Sequence, residues 1–407
     1  MRNLVPVTVF AVLLSLVPGL AAGEQNNPPH LRQRNPVKEA PPAINTTDPN
    51  IWDAYPWFSR DGKLLFWTRE TNGIARVWVT YFRNRAAVIN TSVNQSLPAL
   101  DISTPWVLPG AWNNGTQAAQ TVKAYAYCHQ AYNEDTPSTG FEEYIFTLFY
   151  SSGVEGARVM YRIPNLKVRI NETQGTIVYV EAPSAPQVMG SGVNASGANA
   201  TEPMLTRDGR FLFWASNAPG FSPLARYIEV SQACTQLNEA SVQYSQLPSS
   251  RFAWVDQYTA GQNWDRTRST NYHSVLEKGS IDNSQTALIF ERCNQLQRRD
   301  CGGHQCDCVE DPLSRYCDCV SVDDPSVPLA ERFGVLMSTG FQAGKEPAPI
   351  LGCTSSPLNQ DYPGRDTHPA VSGPPTLGGT WLLFFMRGKK IWYTNISECP
   401  ASGACTC

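Results

Sequence analysis

From residue 51 onward the chain alternates between short apolar runs and clusters of turn residues. The runs span residues 64–67, 77–82, 144–150, 176–180, 211–214, 287–290, 333–337 and 381–386, and they are dense in aromatic and β-branched side chains. Runs of this length and content, bounded by Gly, Pro, Asn and Asp, predict β-strands. A helical period sustained over three turns occurs nowhere; residues 329–333, just after Pro328, would supply a single helical turn. The pattern predicts an all-β fold.

One stretch is repeated. Residues 56–67 read Pro-Trp-Phe-Ser-Arg-Asp-Gly-Lys-Leu-Leu-Phe-Trp, and residues 203–214 read Pro-Met-Leu-Thr-Arg-Asp-Gly-Arg-Phe-Leu-Phe-Trp. In each copy a proline opens a strand, Asp61-Gly62 or Asp208-Gly209 turns the chain, and an apolar strand follows. Degenerate copies begin at His273-Ser274 and His368-Pro369, with Asp282-Asn283 and Gly378-Gly379 replacing the turn pair. Those residues also reach positive φ.

The two full copies resemble the WD40-like repeat of TolB-type β-propellers, and the four copies together span about a fifth of the chain. The resemblance implies a β-propeller and is nearly silent about function. The strong copies start 203 − 56 = 147 residues apart, room for about three blades at the ~40–50 residues of known propeller repeats. The intervening blades would use residues 123–129, 144–150, 158–163 and 176–180. Six blades are expected, with five or seven open.

The first residues change the picture of where the chain works. Arg2 precedes an apolar run over residues 5–20, and small residues follow at Ala21, Ala22 and Gly23. That layout predicts an export signal over residues 1–22, too short for a good membrane span; an uncleaved anchor is the alternative. Residues 23–50 are rich in proline and lack apolar period, so an extended leader is expected there, with the propeller over residues 51–407.

Export makes sense of the cysteines. The twelve are even in number, and an oxidising compartment would pair them. Cys293, Cys301, Cys306, Cys308, Cys317 and Cys319 crowd an insertion at residues 293–320. His304 would allow a metal site there, but no regular zinc spacing is present, and disulfides are favoured. Cys399, Cys405 and Cys407 are expected to staple the chain's end to its body. Asn-x-Ser/Thr acceptors stand at Asn45, Asn90, Asn94, Asn114, Asn171, Asn194, Asn199 and Asn395, which predicts a glycoprotein. A net charge of −3, with 16% charged residues, excludes an electrostatic nucleic-acid binder.

Catalytic signatures are sparse. There is no Gly-x-Ser-x-Gly elbow and no phosphate-cradling loop that opens a helix. The residues just before each repeat's opening position are Tyr55, Glu202, His273 and His368. The resemblance implies that these recur near a central channel, where His129 would add a further imidazole. With only five histidines in the chain, Glu202, His273 and His368 are candidate ligands for a divalent cation, as in propeller-fold pectate-oligomer lyases; ordinary polar channel lining is the alternative. No cofactor is required by the sequence.

Two functions fit. The first is an extracellular binding propeller for a protein or carbohydrate. The second is a carbohydrate-active lyase or hydrolase working in the channel. The first is favoured because no acid, base and nucleophile assemble. Trp106, Trp112 and Trp264 are candidate contact aromatics for either.

Overall fold

The computed structural model describes residues 31–59, 61–113, 125–135, 140–153, 158–191, 193–194, 196, 200–205, 211–216, 226–229, 269–277, 286–293, 296–298, 317–319, 335–338, 348–352, 354, 357–359, 366–372 and 379–399. Strands dominate. Two short ones, β1 (Leu31–Gln33) and β2 (Lys38–Glu39), precede a sheet of β3 (Ile51–Phe58), β4 (Leu64–Thr71), β5 (Ile74–Tyr81) and β6 (Trp106–Val107). The second sheet holds β7 (Tyr125–Asp135), β8 (Phe141–Ser152) and β9 (Val159–Asn171), whose outer edge pairs with both β10 (Thr176–Glu181) and β11 (Gln187–Val188). The third is β12 (Ala200–Leu205), β13 (Phe211–Ser216) and β14 (Arg226–Glu229).

The fourth sheet runs β15 (Ser269–Glu277), β16 (Thr286–Cys293), β19 (Val335–Ser338) and β20 (Ala348–Pro349). Between β16 and β19 lies a separate ribbon of β17 (Leu296–Arg298) and β18 (Cys317–Cys319). The fifth sheet is β21 (Asp366–Ser372), β22 (Thr380–Arg387) and β23 (Lys390–Glu398), with β1 and β2 both pairing on β23. The first strand of each sheet neighbours the first strand of the next: β3, β7, β12, β15, β21 and back to β3. Sheets that step outward from a closed ring of inner strands make a β-propeller.

Two sheets' worth of chain, not three, separate the strong repeat copies. All four intervening runs fall in the second sheet, whose first three strands are 11, 12 and 13 residues long. Among the described residues, these long strands take up the room that spacing would give to a further blade.

The fully apolar runs are explained by burial on both faces. On β4, Leu65 and Trp67 pack with β22 residues Leu382 and Phe384, whereas Leu64 and Phe66 pack with Leu148, Ile163 and Val168 of the second sheet. On β22, Trp381, Leu383 and Phe385 face the other way, onto Ala287 and Ile289 of β16. A strand between two neighbouring sheets has no wet side, so its period-two signal disappears. Helix is confined, among the described residues, to α1 (Arg85–Ile89) and a 3-10 turn at Ala111–Asn113. Neither was anticipated from sequence.

Residues 31–50 are not a leader separate from the body. Leu31 pairs with Glu398 and Gln33 with Ile396, and Leu31 and Ile44 are fully buried. The prolines there serve turns and an outer edge, where a missing N–H is tolerated. Local composition reads as an extended leader because the partner strand, β23, lies at the far end of the sequence.

The repeat's turn forms as expected in its first copy. Ser59 Oγ donates to Asp61 Oδ1 at 2.6 Å, Leu64 N–H donates to Ser59 Oγ at 2.8 Å, and Gly62 takes φ +75°. The second copy's Asp208-Gly209 turn and Asp282-Asn283 lie outside the described residues.

A second repeat was invisible in the sequence. Asn113 clamps Val77 of β5: its Oδ1 accepts the Val77 N–H at 2.8 Å, and its Nδ2 donates to Val77 O at 3.0 Å and to Leu108 O at 2.7 Å. Asn194 does the same to Met160 of β9 and to Met189 O, and Asn45 to Ile391 of β23 and Ala40 O. In each case the second carbonyl lies five residues before the asparagine. Each clamp supplies partners to an edge that would otherwise leave backbone groups unpaired. Replacing Asn113 by Ala strands a buried N–H and carbonyl. The expected cost is about 3 kcal/mol in denaturant unfolding; a loss below about 0.5 kcal/mol would show that the clamp is dispensable.

Candidate functional site

Every inner strand carries a β-bulge. Register slips between Ala54 and Trp57 in β3, His129 and Ala131 in β7, Thr201 and Met204 in β12, Thr270 and His273 in β15, and Thr367 and Ala370 in β21. Bulges sharpen twist, which short strands converging on an axis need, and they re-aim side chains. Tyr55-Pro56, Glu202-Pro203 and His368-Pro369 are the extra residues of three of them. The proline sits where the ladder bond is already lost.

Two of these positions are strained. Tyr55 has φ +53° and His368 φ +52°, a left-handed conformation that is uncommon for side chains of their bulk. Both are nearly closed off, at 7% and 6% exposure, and their rings meet edge to face with centroids 4.2 Å apart. Thr367 Oγ1 stands 2.8 Å from His368 Nδ1. Trp52 lies 5.8 Å from the Tyr55 ring and donates from Nε1 to Met386 Sδ. The cluster thus bridges the first and fifth sheets.

The other candidates sit on the same ring of strands. Glu202 occupies the bulge of β12 at the position of Tyr55. His273 does not: it pairs with Phe290 directly after the β15 bulge, in the register of Trp57 and Ala370, and Asn271-Tyr272 fill the bulge itself. The sequence alignment at this degenerate copy was two residues out, because no proline marks the bulge. His129 lies at the edge of the β7 bulge, opposite Phe146.

Each strained residue is flanked by a locked carboxylate. Asp53, two residues before Tyr55, accepts from Arg69 Nε at 2.7 Å, Trp67 Nε1 at 3.2 Å and the Thr46 N–H at 3.1 Å. Asp366, two residues before His368, accepts from Arg387 Nε at 2.7 Å and Nη2 at 2.9 Å and from the Asn359 N–H at 2.6 Å. The backbone donor lies seven residues before the Asp in both. Arg69 also reaches Ile44 O and Arg387 reaches Pro357 O, and the two guanidinium groups lie over Trp78 and Trp392. Burial pushes both carboxyls above the ordinary aspartate range, with the arginines pulling the other way. These acids brace the strained residues and have no free oxygen face for general acid–base work.

A third charged group ties the first sheet to the second. Lys63 bridges Glu142, at 2.9 Å, and Glu172, while Tyr144 Oη lies 2.7 Å from Asp61 Oδ2 and 2.9 Å from Glu142 Oε2. Burial alone would lower the Lys63 ammonium, but the two carboxylates hold it above the usual lysine range. Burial, then Asp61 and Glu142, raise the Tyr144 phenol. The groups satisfy one another and form a seam. No set of three or more His, Cys, Asp and Glu able to hold a metal occurs among the described residues.

No family model matches this sequence, and no curated protein does. Solved structures similar to it include the catalytic domain of a Coprinopsis cinerea GH62 alpha-L-arabinofuranosidase, at 10% identity and TM-score 0.43, covering 93% of this chain and 100% of that one. A thermostable family-43 glycoside hydrolase matches at 10% identity and TM-score 0.37, over 89% of this chain and 97% of that one. The β-propeller domain of Myceliophteria thermophila Cps50 (Swd1) matches at 9% and 0.29, over 86% and 84%. At this identity the likeness concerns fold alone.

The remaining sequence candidates divide. Trp106 is exposed at 38% on edge strand β6, whereas Trp112 packs against Tyr150 with ring centroids 4.8 Å apart. Trp264 lies outside the described residues, as do Cys301, Cys306, Cys308, Cys405 and Cys407. The Cys-rich segment does leave one sheet, after Cys293 on β16, and Cys317 and Cys319 lie on β18 of the ribbon. Cys399 is disulfide-bonded. No helix among the described residues is long and apolar enough to cross a membrane.

The Asp366 latch gives a pH-dependent expectation. In Arg387→Met the carboxyl keeps its burial and loses its counter-charge, so its folded-state pKa rises further. A raised folded pKa contributes stability that is present below the unfolded value, about 3.9, and is lost as pH climbs through the folded value. The variant should be destabilised by about 3–5 kcal/mol at neutral pH and recover part of this near pH 5. A deficit that is flat across that range would show that Asp366 is not ionised in the native protein.

Proposed function

We propose that this chain is an exported five-bladed propeller that takes a carbohydrate ligand at the inner-strand bulges around Tyr55 and His368. One observation carries the reading: two bulky side chains on adjacent inner strands are held left-handed, in ring contact, at equivalent bulges. Strain of this kind costs of order 1–3 kcal/mol per residue and persists where surrounding structure imposes it, which is typical of ligand sites. Aromatic faces beside an imidazole suit a sugar, which offers C–H faces and hydroxyls together. The closed cycle of five inner strands supports the blade number.

Cleavage of the bound sugar is the second reading. It is favoured by Glu202, whose register places a carboxylate-bearing residue at the bulge equivalent to Tyr55 and His368 while Asp53 and Asp366 are locked. Two of the similar folds are glycoside hydrolases, and that activity is theirs. In this reading Glu202 would act on the substrate and His368 would position it, with a divalent cation as an added ligand-holder.

The test is a binding screen of purified protein against neutral and acidic oligosaccharides, with and without added Ca²⁺, alongside an assay for new reducing ends. His368→Asn suits the left-handed backbone and removes the imidazole; Tyr55→Phe keeps the ring. Each should weaken binding about tenfold or more; Tyr55→Phe should leave the melting temperature nearly unchanged, whereas His368→Asn, which also removes a buried ring contact, should lower it. Glu202→Gln should abolish new reducing ends if cleavage occurs. Wild-type affinity in both ring variants would overturn the site, and absence of binding across the screen would overturn the ligand class.

A further inference from the structure

The structure sorts five of the eight glycan acceptors of the sequence by what surrounds them; Asn114 and Asn199 lie outside the described residues. N-glycosylation joins Asn Nδ2 to the anomeric carbon of an oligosaccharide. The carbon–oxygen bond to the donor's lipid pyrophosphate breaks, and one Nδ2 proton leaves. The reaction therefore consumes one of the two Nδ2 hydrogens and sets a bulky polar group on that nitrogen.

At three acceptors both hydrogens are already committed. Asn45 Nδ2 donates to Ile391 O at 2.8 Å and Ala40 O at 3.2 Å, with the residue 2% exposed. Asn194 Nδ2 donates to Met189 O at 2.7 Å and Met160 O at 3.0 Å. Asn395, fully buried, donates to Val88 O at 2.8 Å and Ile89 O at 3.3 Å, the last carbonyls of α1. A sugar at any of these would break a clamp, and at Asn45 or Asn395 it would also have no room. Asn45 holds the segment before β3 onto β23, and Asn395 holds β23 onto α1, so a sugar at either would break a contact between the fifth sheet and the chain that flanks the first.

Asn90 and Asn94 are the opposite case. Asn90 is the residue at which α1 ends, and it is exposed; its backbone N–H donates to Ala86 O. Asn94 is exposed in the turn that follows, with its backbone N–H fixed on Arg34 O at 2.8 Å. Both residues are exposed on anchored backbone, and the two carbonyls that precede Asn90 accept from Asn395 Nδ2. We propose that this propeller carries its N-glycans at Asn90 and Asn94, and that Asn45, Asn194 and Asn395 remain unmodified because their carboxamides are structural. The proposal rests on the export reading for its cellular setting; the choice among acceptors rests on geometry alone.

The experiment secretes the full chain from yeast in two forms, one with its own residues 1–22 and one behind a signal known to work in that host. Glycosidase release in ¹⁸O-water followed by peptide mass mapping then reads each acceptor. Label is expected at Asn90, Asn94 or both, and at none of Asn45, Asn194 and Asn395. An Asn90→Gln/Asn94→Gln double variant should lose that glycan mass and keep the wild-type melting temperature. Ser196→Ala and Thr47→Val destroy two acceptor motifs whose carboxamides are committed while keeping their asparagines, and should leave glycan mass unchanged. Sugar on Asn45, Asn194 or Asn395 in folded, secreted protein would overturn the proposal. So would bare Asn90 and Asn94 in protein secreted by the foreign signal. Failure of only the native-signal form would sink the export reading and leave the site choice standing.

Discussion

The whole architecture depends on how its ring is shut. Sheets around an axis gain from neighbours only when the last meets the first, and here the N-terminal strands make that junction by pairing on β23. β1 is held on its other side as well, with Gln33 N–H on Leu351 O and Leu351 N–H on Leu31 O. Side chains extend the junction: Gln33 Oε1 accepts the Leu358 N–H, Asn35 Nδ2 reaches Ser92 O and Gln95 O, and Lys38 reaches Leu97 O. One short segment therefore ties together the fifth sheet, the approach to it, and the loop behind the first sheet. The candidate site inherits this dependence. Thr46 and Ile44, which brace the Asp53–Arg69 latch, belong to the closing segment, and the Tyr55–His368 contact crosses the same junction.

Much of this was legible in the sequence because local chemistry and global fold agreed. The apolar strands, the Asp61-Gly62 turn and the paired copies at Pro56 and Pro203 are patterns that short windows reveal. What escaped was anything defined by a distant partner. Residues 31–50 look like a leader until β23 is placed beside them. Asn113 and Val77 are 36 residues apart and Asn194 and Met160 are 34 apart, so no window tests the clamp. Two of the three clamp asparagines also happen to satisfy the Asn-x-Ser/Thr pattern, and nothing in that pattern shows that their carboxamides are committed to backbone. For His273 the failure was one of register. Without a proline, nothing local says which residues a bulge will extrude, and a shift of two residues keeps the same face of the strand while moving the side chain along it.

The locked carboxylates narrow what the inner ring can do. Asp53 and Asp366 recur at the same place relative to Tyr55 and His368, with arginines from the next strand and a backbone donor seven residues upstream. A reader searching for an acid–base pair would have chosen them, since burial raises both. Their geometry argues for bracing instead: a left-handed residue without glycine's freedom needs its neighbours fixed. The latch fixes the residue two before each one, and the proline fixes the residue after.

That arrangement assigns the parts different work. Bulges occur in every inner strand among the described residues and are explained by twist, so they need no ligand to justify them. Left-handed bulky residues are described at only two of the five, on adjacent sheets, where their rings meet across the closing junction. Were strain merely the by-product of bulging, the extra residues would be free to relax toward ordinary extended or right-handed backbone, as the cost of positive φ encourages. They are held instead by a duplicated set of ion pair, backbone donor and proline. A fold that invests the same bracing twice, at the seam that closes it, maintains a particular arrangement there: an imidazole and a phenol set against one another, nearly closed off between the first and fifth sheets.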